Sequence, residues 1–223
     1  MKAIPRHIKA IAILIPILLS SCGDDEPYNS SAELADIVTY KETTPNGAIF
    51  TFQRQNDSPE ITLTAAGRQI DESLYSPGCR VLISYYPANG EPYSSGNITL
   101  TGISAINNGV LKTGDTEKLS GWDTDDIYLN SIWRTGTFIN IYFRVDQSSE
   151  KRRFALMMDE ATSGDDIPQL YLIHDMLGQP DNFTRRAYAS FDISAIWDKP
   201  ECQGVTIHLN DSNLETDTYT FTK

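Results

Sequence analysis

Phe138-Ile139-Asn140-Ile141-Tyr142-Phe143-Arg144-Val145 is the stretch that decides the fold class. Ile139, Ile141, Phe143 and Val145 share one parity, and Phe138, Asn140, Tyr142 and Arg144 share the other. Successive side chains of a strand point to opposite faces, so the first set reads as a core face and the second as an outer face. A helix would need apolar residues three and four apart. The same period of two runs outward on both sides. Ile127–Trp133 reads as a strand, and Arg134-Thr135-Gly136-Thr137 turns it into Phe138. Downstream, Phe154, Leu156 and Met158 share a face, and Leu170-Tyr171-Leu172-Ile173 follows. Ala187, Ala189, Phe191 and Ile193 alternate with Tyr188, Ser190 and Asp192; Val205, Ile207 and Leu209 alternate with Thr206 and His208; Tyr219 and Phe221 close the chain. Seven strands with turns between them predict an antiparallel β-sandwich over residues 115–223. Helix signals are nearly absent, and Ser194-Ala195-Ile196-Trp197 predicts one short helical turn.

Upstream the pattern is again strands and turns. Glu33–Lys41, Ala48–Gln53, Ile61–Thr64, Arg80–Tyr86 and Ile98–Ile106 are predicted strands. Asn46-Gly47, Ser76-Pro77-Gly78 and Pro87–Pro92 punctuate them. Five strands in so short a span predict a small OB-like barrel over residues 32–112. Spacing alone leaves an SH3-like barrel or a small sandwich open. Leu111-Lys112-Thr113-Gly114-Asp115 reads as the junction between the two domains.

The start of the chain is of another kind. Lys2, Arg6 and Lys9 precede the apolar run Ala10–Leu19. That run is far shorter than the roughly 20 residues of a membrane-spanning helix, so residues 1–21 read as a signal peptide. Leu19-Ser20-Ser21-Cys22 resembles the bacterial lipobox, which implies diacylation of the Cys22 thiol, cleavage before it and acylation of the new amine. Two or three acyl chains hold a protein at a membrane far more firmly than one. Residues 22–31 then form the lipidated Cys and a flexible acidic tether. Gly23-Asp24-Asp25-Glu26 resembles the acidic signals that send some lipoproteins to the cell surface, and a plain solvated tether is the other reading. The expected location is the outer membrane, lipid-anchored and surface-exposed, with the periplasmic face as the alternative. Removing Lys2, Arg6 and Lys9 takes the 18 bases to 15 against 30 acids, a net charge of −15. Such a surface repels nucleic acid and anionic headgroups. The barrel region has no basic stripe, so a nucleic-acid partner is not expected.

Several stretches resemble one family. Asp126-Ile127-Tyr128-Leu129-Asn130-Ser131-Ile132-Trp133, Phe138–Phe143, Leu170-Tyr171-Leu172-Ile173-His174 and Tyr188-Ala189-Ser190-Phe191-Asp192-Ile193-Ser194 are similar to the C-terminal domain of the NigD-like lipoproteins. The lipobox and Arg80-Val81-Leu82-Ile83-Ser84-Tyr85-Tyr86 fit the same pattern. The resemblance implies an N-terminal OB-like domain before a C-terminal β-sandwich. The family takes its name from a bacteriocin locus, and no activity is established for it.

No catalytic constellation emerges. His174 and Asp175 are neighbours on a strand and point to opposite faces, and no Gly-x-Ser-x-Gly elbow is present. Asp123-Thr124-Asp125-Asp126 and Asp165-Asp166 lack EF-hand spacing, so neither metal nor cofactor is expected. Arg152-Arg153 and Arg185-Arg186 read as surface ion pairs. Tyr85, Tyr86, Tyr93, Trp122 and Trp197 fall in or beside loops and are the candidate ligand-contact aromatics, suited to a protein or glycan partner. Cys79 and Cys202 could form one disulfide or remain free thiols. The reading that results is a non-catalytic binding or accessory lipoprotein. A structural or protective envelope protein with a bacteriocin-immunity-like role is the alternative, and an unrecognised hydrolase a more distant one.

Overall fold

The computed structural model describes residues 32–114, 125–148, 152–176, 180–213 and 216–223, without the side chains of 181 and 182. The leader, Cys22 and Trp122 lie outside the described residues. Strands β1 (Leu34–Thr44), β2 (Gly47–Phe52), β3 (Ile61–Ala66), β4 (Arg80–Pro87) and β5 (Gly96–Ala105) close into a barrel in the order β1-β2-β3-β5-β4. All pairings are antiparallel except β3 with β5. The barrel is therefore the closed form among the alternatives that spacing left open. Alternate residues of each strand fill it: Val38 and Tyr40, Phe50 and Phe52, Leu63 and Ala65, Val81, Ile83 and Tyr85, Ile98 and Leu100.

The sandwich is built from β6 (Asn107–Val110), β7 (Lys112–Gly114), β8 (Tyr128–Thr135), β9 (Phe138–Ser148), β10 (Arg153–Asp159), β11 (Gln169–Asp175), β12 (Pro180–Asp192), β13 (Gly204–His208) and β14 (Thr218–Thr222). One sheet runs β14-β13-β11-β10-β7 and the other β6-β12-β9-β8. Ile139, Ile141, Phe143 and Val145 of β9 all enter the core, as their parity predicts. They face Leu156, Leu170, Leu172, Val205 and Ile207 within one cluster. The helical turn is α1 (Ser194–Trp197), which buries Ile196 and Trp197.

Three features differ from the sequence reading. The sandwich is mixed rather than antiparallel: β7 with β10, β13 with β11 and β6 with β12 are parallel pairs. Residues 107–114, assigned to the barrel end and the junction, are sandwich strands. β6 lies on one sheet and β7 on the other, and Leu111 crosses between them with its N–H donating to Asp192 O at 2.8 Å. Asn107-Asn108-Gly109-Val110 carries too little apolar alternation to show itself as a strand, and a Cβ at Gly109 would crowd the Phe191 ring at 3.0 Å. Finally, Asn140 and Ser190 lie on the outer parity of β9 and β12 yet are fully buried. The barrel docks on that face, so it is a second interior.

Arg80, the first residue of β4, holds the dock. Its Nε donates to Ser190 Oγ (3.1 Å), Nη1 to Thr39 Oγ1 (3.0 Å), and Nη2 to Asn140 Oδ1 (3.1 Å) and Ile37 O (3.3 Å). The guanidinium lies 4.5 Å from the Phe138 ring centroid. Ser190 Oγ also donates to Asn140 Oδ1 at 2.8 Å, and Asn108 brackets the Arg80 backbone, accepting from its N–H and donating to its carbonyl. A second joint sits at Arg134 on β8. Asp57, in the β2–β3 loop, accepts two bonds from Arg134 Nη1 and Nη2 (2.8 and 2.7 Å), and Asn56 N–H donates to Arg134 O (2.6 Å).

Candidate functional site

The candidate aromatics do not converge. Tyr85 and Tyr86 are neighbours on β4, so they take opposite faces. Tyr85 is fully buried in the barrel, where its hydroxyl donates to Asp36 Oδ2 at 3.0 Å. Burial raises the Tyr85 phenol above its ordinary range, and the Asp36 carboxylate adds to this. Trp197 is buried in the sandwich under the Arg134 guanidinium, 4.3 Å from its ring centroid. These two rings serve packing, a correction to their reading as ligand contacts. Tyr86 and Tyr93 remain at the surface. Tyr93 sits at φ 61° with Arg54 4.2 Å above its ring, and the Phe52 ring lies 6.0 Å away, tilted. Cys79 and Cys202 are free thiols, one packed against the barrel core and the other inside the sandwich core, so the bridge left open by the sequence is not made.

Chemistry gathers instead at one end of the sandwich. A cavity of about 150 Å³ is walled there by strands β8, β9, β11 and β12 and by Arg152 just ahead of β10, with Arg144, His174, Asp125, Asp126 and Asp146 among its lining. Arg152, read from sequence as a surface cation, is 9 % exposed, because it precedes β10 and turns inward toward β11. His174 is 2 % exposed and stacks on Phe154 with ring centroids 4.6 Å apart. Arg152 Nη1 donates to His174 Nε2 at 2.9 Å. A guanidinium has no lone pair to offer, so Nε2 is the acceptor and the imidazole proton is on Nδ1. That proton faces the carbonyls of Asp125 and Asp126, both at 3.2 Å. Desolvation, and then the Arg152 charge, push the His174 value below 6.5 and keep the ring neutral. Asp125 ties the neighbouring chain down, its carboxylate accepting from Met176 N–H at 2.5 Å. Arg153, on the other face of β10, pairs with Asp175.

The donors of this cavity are not all matched. Arg152 Nε and Nη2 and Arg144 Nε are buried without a hydrogen-bond partner. A buried donor left unmade costs about 1–3 kcal/mol, so each such atom calls for an explanation. Arg144 lies over the Tyr128 ring, 3.8 Å from its centroid, which fixes its plane without using its N–H groups. The sequence named Arg152 and His174 but had no means of pairing them. Their approach depends on the β10–β11 register, in which Phe154 faces His174. Among the described residues no group of His, Cys, Asp and Glu has the arrangement of a metal site.

The model of the NigD-like C-terminal β-sandwich domain matches residues 110–223. The chain belongs to the NigD-like family. Solved structures share the whole NigD-like architecture. A Bacteroides vulgatus ATCC 8482 protein of unknown function aligns with TM-score 0.68 and 16 % identity over 86 % of this chain and 91 % of its own. A NigD-like immunity protein of Bacteroides caccae ATCC 43185 gives 0.61 and 16 % over 85 % and 92 %. A protein described as a candidate lipoprotein of Bacteroides fragilis NCTC 9343 gives 0.57 and 16 % over 86 % and 96 %. No curated protein matches the chain. At such identities the likeness carries the fold. It extends through the barrel as well as the sandwich, so the two-domain arrangement is a property of this fold as a whole.

Proposed function

We propose that this NigD-like chain is a lipid-anchored envelope protein that binds a partner at the outer membrane rather than transforming a substrate. The observation that carries the binding half is the state of the cavity. Both nitrogens of His174 are engaged, one accepting from Arg152 and one facing backbone carbonyls, so the ring has no free lone pair with which to act as a base. The two arginines beside it offer fixed donors, which suits recognition. The anchor half rests on Leu19-Ser20-Ser21-Cys22 and its acidic tether. With net charge −15 on the mature chain, lipid and not electrostatics supplies membrane attachment. Presentation on the cell surface is the form of this reading that the Asp24-Asp25-Glu26 run supports.

Metabolic labelling with a radioactive fatty acid tests the anchor. Label should enter the wild-type chain and be absent from Cys22→Ala, which should accumulate as unprocessed precursor. Acylation persisting in the variant would remove the anchor. Protease treatment of intact cells then separates the two faces of the outer membrane.

A further inference from the structure

We propose that the cavity walled by Arg144, Arg152 and His174 is a binding site for a single carboxylate. This rests on the binding reading above and names the chemistry of what is bound. Of the five described buried side-chain polar atoms without a partner, three are N–H groups of Arg144 and Arg152, and both residues line this one cavity. The choice of atoms on Arg152 is informative. Nη1 is engaged by His174, and the two unmatched nitrogens, Nε and Nη2, form one edge of the guanidinium. Their N–H bonds run parallel at the spacing of two carboxylate oxygens, the geometry of bidentate recognition. His174, neutral and stacked on Phe154, acts as a positioning residue that sets the plane of that fork. Arg144 Nε adds a third donor from β9.

The charges around the site select among anions. Asp125, Asp126 and Asp146 share the wall with the two arginines, and Arg185 stands close enough to Arg152 to disfavour its charge. Three carboxylates and, with Arg185, three guanidiniums balance around the site, so a dianion such as phosphate at neutral pH would leave it with two uncompensated negative charges. A monoanion with two coplanar oxygens satisfies the fork at half that excess. The space is also small: about 150 Å³ holds a carboxylate on a short stem and excludes a nucleotide or a sugar acid chain. Two sources offer this group, a free short-chain acid and the carboxylate that ends or branches from a peptide.

The test follows the Nε–H resonances of ¹⁵N-labelled arginine in the full mature chain, solubilised in detergent micelles. Sodium propionate, an acidic tripeptide, sodium phosphate and sodium chloride are titrated at matched ionic strength and neutral pH. The Arg152 resonance should move saturably with propionate or the tripeptide, with Kd on the order of 1 mM, and stay in place with phosphate and chloride. Tighter binding of the tripeptide assigns a peptide as the source; tighter binding of propionate assigns a free acid. Arg152→Lys, which keeps the charge and loses the fork, should weaken the response about tenfold or more. Should that variant not fold, Arg144→Gln, at a half-buried position, should weaken it several-fold. No saturable shift means a water-filled cavity, and an equal response to phosphate means an unselective anion site; either overturns the proposal. The ligand's own proton spectrum is read in the same tube. Conversion of the tripeptide would defeat the binding reading, whereas an unmoved Arg152 with intact ligand defeats the carboxylate site alone.

Discussion

A buried histidine held neutral by a buried arginine has a consequence for stability. His174 titrates near 6.5 when exposed, and in the folded chain desolvation and Arg152 hold it lower. As pH falls below about 6.5, the unfolded chain takes up a proton that the folded chain refuses. Stability then rises with pH through that window and is lost on acidification. The loss levels off only below the depressed folded value. His174→Gln keeps an acceptor for Arg152 and removes the titration. Urea unfolding at about pH 7.5 and about pH 5 should show a smaller drop in midpoint for the variant than for the wild type, at a cost of about 1 kcal/mol at the higher pH. Equal drops in the two proteins would place the acid sensitivity elsewhere, with Asp57, whose carboxyl Arg134 holds below its ordinary range, as the next group to examine.

At the scale of elements, the β1–β2 hairpin shows what local sequence dictates. Thr44 pairs with Gly47 across Pro45-Asn46, and Gly47 opens β2 at φ +136°. A Cβ there would lie 2.2 Å from Ala65 O on β3, so both backbone conformation and space demand glycine. Gly47→Ala should destabilise by about 1–3 kcal/mol, read as a shift in the denaturation midpoint; a variant as stable as wild type would show that β3 can retreat. This hairpin and the β9 core face were legible because turn chemistry and a period of two are local signals. Parallel pairing was not. β6 and β7 are short, polar and joined to β12 and β10 far along the chain, and nothing in Asn107–Gly114 names those partners. The candidate site was legible as residues and not as a site. Arg152 and His174 stood out by type, but whether an arginine beside a strand end turns in or out depends on the sheet opposite. Tyr85 and Trp197 misled for the same reason: loop-adjacent rings look alike in sequence whether or not a second layer covers them.

The whole molecule turns on one cation. Asn140 sits on the polar parity of β9, and a polar residue in that position is indistinguishable in sequence from a solvent-facing one. It is buried because the barrel brings Arg80 against it. None of the hydrogen-bond acceptors around Arg80 is a carboxylate, and burial lowers its value to about 10, still well above neutrality. A charged guanidinium is thus held by neutral acceptors drawn from both domains, which is costly unless every bond is made. The sandwich supplies Ser190 and Asn140, and the barrel supplies Thr39 and Ile37 O. Separating the domains would strip the cation of two of its four bonds while Asn140 kept only Ser190 and Thr135 as partners, so this contact favours one mutual orientation and couples the two units. Arg80→Leu removes the charge but strands the acceptors, and should cost about 2–4 kcal/mol. Because two of the four lost bonds cross the interface, cooperativity should fall as well. Urea unfolding followed separately by a barrel probe and by Trp197 fluorescence should give coincident curves for wild type and displaced curves for the variant. Arg80→Lys, with charge but only three donors on a compact head, should fall between. Coincident curves in Arg80→Leu with an unchanged midpoint would show that the Asp57–Arg134 joint, with the chain crossing at Leu111, suffices to hold the barrel against the sheet.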